Sequence, residues 1–144
     1  MADQKDMICW ERASTFSIGV QLKTPGGRVH SPSEELIELD TGYEGEVLVP
    51  YDLYVEMELY GWEYPEIFWA TGRTVSGEIL HMPLSYGYLV IPRWGREIRV
   101  SIETFVGNSE FLIGRALIRR YRFLLDGPGN RTCLLLEDEI SSVL

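Results

Sequence analysis

One stretch of the chain, "ELIELDTGYEGEVLVP" (residues 35–50), places a carboxylate where it could do chemistry. Asp40 follows the apolar run Leu36-Ile37-Glu38-Leu39, and a second run, Val47-Leu48-Val49, comes soon after. A carboxylate at the end of a buried strand can serve as a general acid or base. Thr41 can hold the loop by hydrogen bonds, and Gly42 permits a tight backbone. Asp-Thr-Gly is also common turn chemistry, so the tripeptide alone leaves both readings open. A second segment, "FLIGRALIRRYRFLLD" (residues 111–126), lies about seventy residues downstream. It carries Leu112-Ile113, then Gly114, then Arg115 opening a short helical pattern.

Other reactive side chains point nowhere specific. His30 and His81 are far apart with no Cys or acid at ligand spacing, so no metal site is expected. Ser85, Ser101 and Ser109 lack a nucleophile-elbow context. Asp126 precedes Gly127-Pro128 and reads as a turn residue. Trp62, Trp69, Trp94 and Met57 read as core or surface packing rather than a ligand platform. Cys9 and Cys133, the only cysteines, form neither a zinc cluster nor a disulfide framework and are expected to be free thiols in a reducing compartment.

The elements that must position Asp40 are mostly strands. Residues 15–22 alternate polar and apolar, and 24–27 ("TPGG") read as a turn. Strands are expected at 36–39 and 46–49, followed by a helix over 51–61 stopped by Gly61. Further strands are expected at 66–70, 74–82, 88–91, 97–105, 111–114, 122–126 and 131–137, with helical turns at 115–121. Residues 1–14 read as a tail, 15–137 as one domain and 138–144 as an acidic tail. Many short strands at close spacing predict a mainly β fold, a barrel or sandwich with one or two short helices.

The bulk numbers narrow the function. The chain has 144 residues, 45% of them hydrophobic, enough for one domain with a real core. Its net charge of −9 argues against a nucleic-acid partner. The N-terminus has no apolar core of a signal peptide, and the longest apolar run, near "YLVIP", is too short to span a bilayer. A cytoplasmic protein with no membrane partner is the expectation.

Taken together, Asp40-Thr41-Gly42 and Leu112-Ile113-Gly114-Arg115, in the order strand, Asp-Thr-Gly, strand, then apolar-apolar-Gly-Arg, short helix, strand, resemble the retropepsin-like (clan AA) aspartic proteases. These are single-lobe enzymes of the retroviral-protease type with cellular and archaeal relatives. The resemblance spans roughly residues 15–137. It implies a closed acid-protease β-barrel and an aspartic endopeptidase without a cofactor. Asp40 would be the catalytic carboxylate, Thr41 would lock to its mate across a two-fold axis, and Gly42 would help bind the substrate backbone. Ala70, Thr71, Gly72, Arg73 and Thr74 fall where the family has its flap. Leu112, Ile113 and Gly114 would cross behind the catalytic loop. Arg115 matches an arginine that pairs with an acid four residues after the catalytic Asp, here Glu44. Retroviral members have a small residue after Asp-Thr-Gly, where this chain has Tyr43, a phenol that narrows the cleft or lines a pocket.

Such chemistry needs two carboxylates sharing one proton. The chain has one Asp-Thr-Gly, so the implied enzyme is a C2 homodimer acting on a peptide or protein, with the axis between two Asp40 side chains. The apolar strand "RTCLLLE" is a candidate for interleaving between subunits, or an ordinary core strand. A dimer of the same fold that binds a peptide without cutting it is the alternative.

Overall fold

A computed structural model of the chain describes residues 6–11, 14–73 and 75–136. Among these residues the chain is mainly β, with two short helices. Six strands pair in succession: β2 (Ser17–Lys23), β3 (Glu35–Asp40), β9 (Leu112–Gly114), β4 (Val47–Leu48), β8 (Arg96–Glu103) and β7 (Leu84–Ile91), and β7 returns to β2. Most of these ladders are antiparallel; β3–β9 and β4–β8 are parallel.

Alternation puts the core inside this ring. Along β7 every second residue, Ser85, Gly87, Leu89 and Ile91, is buried. In β8 Val100 and Ile102 point inward, meeting Val20, Leu22, Val47 and Ile113. That is the period-two pattern of a sheet with one wet face. The turn over residues 24–27 forms as expected, with the Gly27 N–H donating to the Thr24 carbonyl at 2.9 Å and Gly27 in the left-handed region (φ 95°).

The helical segment is shorter than its sequence pattern. Helix α1 (Tyr51–Glu56) ends before Gly61, and the residue with left-handed backbone is Glu58 (φ 57°). A 3-10 turn, Leu59–Trp62, follows. The reversal at Glu58 lets both Met57 and Leu59 reach the core, where each is buried. Burying two large side chains is worth about 3–5 kcal/mol. That exceeds the roughly 1–3 kcal/mol of a left-handed non-glycine residue.

Two other expectations change. The strand expected at 66–70 does not form: Glu66–Phe68 make a 3-10 turn, and only Ala70 of that stretch is in a strand. The strand of this region is β5 (Ala70–Arg73), which pairs with β6 (Ile79–Met82) in a separate hairpin. Nor is the described N-terminus a loose tail. Strand β1 (Met7–Glu11) pairs antiparallel with β11 (Arg131–Leu135), which also pairs with β10 (Arg122–Asp126). Trp10 in β1 is fully buried and packs in the core. The Ser17 N–H donates to Thr132 Oγ1 at 3.1 Å, tying this second sheet to the ring.

The cysteines are not free thiols. Cys9 and Cys133 face each other in the β1–β11 register and are joined by a disulfide. Without β1 nothing in the sequence placed the two sulfurs together. The inference of a reducing compartment, which rested on free thiols, lapses with them. Among the described residues no helix is long and apolar enough to cross a membrane.

Candidate active site

Asp40 is the last residue of β3, and parallel pairing sets it beside Gly114, the last residue of β9. Both strands therefore end at one place, where the chain leaves β3 as a loop and leaves β9 as helix α2 (Arg115–Ile118). Asp40 is half-buried, and Thr41 and Gly42 are exposed. The Gly42 N–H donates to Asp40 Oδ1 at 2.8 Å, and the Tyr43 N–H to the Asp40 carbonyl at 3.2 Å. The loop thus fixes its own carboxylate, as an Asp-x-Gly turn can.

The second segment fixes the loop from behind. Gly114 N–H donates to the Glu46 carbonyl (2.9 Å), Arg115 N–H to Tyr43 (2.7 Å) and Ala116 N–H to Gly45 (3.2 Å). Leu112 and Ile113 are buried beneath. A Cβ on Gly114 would collide with the carbonyl oxygens of Gly45 and Tyr43 and with the Tyr43 ring. Gly114 is extended (φ −96°), so its lack of a side chain serves close approach rather than an unusual backbone. The Glu44–Arg115 ion pair forms at 3.0 Å, with both side chains largely in solvent. Such a pair contributes less than about 1 kcal/mol.

Tyr43 does not swing free. Its hydroxyl donates to Glu103 Oε1 at 2.5 Å, and its ring packs over Gly45 and Gly114. Burial first, then the Glu103 hydrogen bond, hold the Tyr43 phenol well above its ordinary pKa. Burial raises the Glu103 carboxyl, and the Tyr43 hydrogen bond partly offsets that. Glu46 receives the Ser101 N–H (2.8 Å) and pairs with Arg120 at 2.7 Å. Sequence reading missed Glu103 and Glu46. The one available signal was alternation in β8, which puts Ser101 and Glu103 on the face opposite Val100 and Ile102. That face is the one the loop covers.

The β5–β6 hairpin stands over this loop. Ala70, Thr71 and Met82 line one side of an open cleft of about 250 Å³, with Gly42, Tyr43 and Glu103 on the other. Gly72 is not at the hairpin tip; it lies inside β5 opposite Leu80. The tip follows Arg73, whose guanidinium donates to the Gly77 carbonyl at 3.2 Å, and Gly77 takes the left-handed backbone (φ 91°). Thr74 lies outside the described residues.

Thr41 borders an apolar recess formed by Phe16, Leu39, Ile118, Tyr121, Phe123 and Leu125. Strand β11 has β1 on one side and β10 on the other, so it is an ordinary internal strand. Asp126 is structural: it accepts the Gly129 N–H (2.9 Å) and meets Arg131 (3.1 Å), and these interactions, in that order, lower its pKa. The His30 side chain, 5% exposed, lies between the Leu22 N–H and Glu35. Among the described residues no group of three His, Cys, Asp or Glu could hold a metal ion.

No protein-family model and no curated protein matches the chain.

Proposed function

We propose that the protein is an aspartic endopeptidase of the retropepsin-like type, with a closed acid-protease barrel, working as a C2 homodimer. The observation that carries this reading is the joint ending of β3 and β9: Asp40 leaves one strand while Gly114-Arg115-Ala116 brace its loop through three backbone hydrogen bonds. A turn aspartate needs no such brace, whereas a carboxylate that must meet another within hydrogen-bonding distance does. The cleft roofed by a hairpin supports the same reading, because an extended peptide can lie there by strand addition. Among the described residues the hairpin pairs only with itself, and an isolated two-stranded unit is marginal enough to move as a lid.

In the dimer the two Asp40 carboxylates share a proton. The ionised one takes a proton from water as it attacks the scissile carbonyl. The protonated one donates to that carbonyl oxygen, giving a gem-diol; as the C–N bond breaks, the proton gained from water goes to the leaving amine and a diol hydroxyl returns its proton to the second carboxylate, restoring the shared-proton pair. Thr41 and the apolar recess beside it supply surface for the second subunit. The test is cleavage of a peptide library from acidic to neutral pH. The wild-type dimer cuts, and Asp40→Asn does not cut while remaining dimeric. A chain that is monomeric at working concentration, or an Asp40→Asn variant that still cuts, overturns the assignment.

A second reading is a dimer that holds a peptide without hydrolysing it. The hairpin turn favours it: its described residues 75–78 include a single glycine, Gly77, so the lid has few backbone degrees of freedom for closure.

A further inference from the structure

We infer that Glu103 makes the floor of the cleft between the Gly42–Gly45 loop and the β5–β6 hairpin a cation-recognising subsite, and that the peptide bound there presents a lysine or arginine side chain to it. This rests on the peptide-binding role proposed above.

Three glutamates belong to this loop and its supports. Glu44 is paired with Arg115 and Glu46 with Arg120. Glu103 has no cationic partner among the described residues, although it is only 9% exposed. Its Oε1 receives the Tyr43 hydroxyl; its other oxygen has no hydrogen-bond partner among the described residues. A carboxyl buried with one oxygen unmatched is costly unless something completes it. Its place in the fold shows what can do so. Glu103 ends β8 and lines the open cleft with Gly42, Gly45, Ala70, Thr71 and Met82. The side chains of glycine, alanine and threonine leave room for a long stem. Met82 and Ala70 give its methylenes an apolar wall, while the charged head reaches the carboxylate. A cation also favours the ionised form that burial opposes. A neutral amide could donate one hydrogen bond but would leave the charge uncompensated, so the subsite selects charge as well as donor.

The Asp40→Asn chain, which binds without turnover, is the material for the test. It is immobilised and exposed to a mass-encoded library of extended octapeptides, and the captured peptides are sequenced. Lysine and arginine are enriched at one position about tenfold or more over norleucine and glutamine. Acetylating the lysine, which keeps the stem and removes the charge, abolishes the enrichment. So does Glu103→Gln in the same background, whose amide oxygen still accepts from Tyr43; circular dichroism and gel filtration check that its fold and dimer persist. Capture without basic enrichment, equal capture of acetyl-lysine peptides, or no capture at all overturns the inference. Wild-type cleavage of the same library separates the two proposals. Cutting without a basic preference overturns the subsite and leaves the peptidase; basic-selective capture without cutting does the reverse.

Discussion

Gly114→Ala tests how the Asp40 loop is held. The backbone at Gly114 is extended, so alanine suffers no conformational penalty there. The whole effect comes from space. The new methyl group would meet the carbonyl oxygens of Gly45 and Tyr43, which are backbone atoms, and the ring of Tyr43, which Glu103 pins. Nothing at this contact is the free end of a flexible chain. Overpacking costs about 1–3 kcal/mol. Pushing the loop away also weakens the hydrogen bonds from Gly114, Arg115 and Ala116, at about 1 kcal/mol each. The sum is about 4–6 kcal/mol. With a urea slope of about 2 kcal/mol/M, the unfolding midpoint falls by roughly 2–3 M. Gly61→Ala is the control. Its Cβ would meet nothing, so it should shift stability by less than about 0.5 kcal/mol. Urea unfolding followed by tryptophan fluorescence reads both. A Gly114→Ala chain within about 0.5 kcal/mol of wild type would refute the packing argument, because the loop could then move aside freely.

Other outcomes follow from the same contacts. A double-mutant cycle on Glu44→Gln and Arg115→Gln should give a coupling of about 0.2–1 kcal/mol that fades in high salt; a coupling several times larger would mean that the pair is shielded from water. The denatured, unreduced protein should show no titratable thiol. Cys9→Ser with Cys133→Ser should lose up to about 5 kcal/mol by the chain-entropy argument, since the bond spans 124 residues; unchanged stability would contradict a bond that closes the chain. Burial raises the Glu103 carboxyl, so its favourable contribution is complete below the ordinary carboxylate range and is lost as pH rises through its folded value. Glu103→Gln cannot ionise, so its stability relative to wild type should rise with pH across that window; a constant difference would refute the assignment.

Much of the ring was legible because alternation is a strong signal where one face is dry. β2 and β8 fall within two residues of the expected 15–22 and 97–105, whereas β7 begins at Leu84, ahead of the expected 88–91. Asp40 at the end of β3 and Gly114 before α2 were also readable, since each closes an apolar run at a change of direction. The Glu44–Arg115 pair followed from the family resemblance and is present. What was not readable depended on partners distant in sequence. β1 is short and flanked by polar residues, and only β11 makes it a strand; the disulfide follows from that register alone. Helix α1 stops at Glu56 rather than Gly61 because burying Met57 and Leu59 outweighs local preference. The resemblance centred the flap on Ala70–Thr74, but the β5–β6 register places Gly72 inside β5, and the left-handed turn glycine is Gly77. Glu103 was hidden because a charge on a strand's outer face is usually solvated, and here a loop lies over it.

The central claim is that one hydrolytic site is made from two Asp40 side chains. Co-refolding wild-type chain with increasing shares of Asp40→Asn, at constant total protein, tests it directly through the cleavage rate. If each site needs both carboxylates, mixed dimers are dead and an equal mixture retains about one quarter of wild-type activity. A linear decline to about one half at that point would mean that each chain carries a complete site of its own, and the shared-pair account would fail.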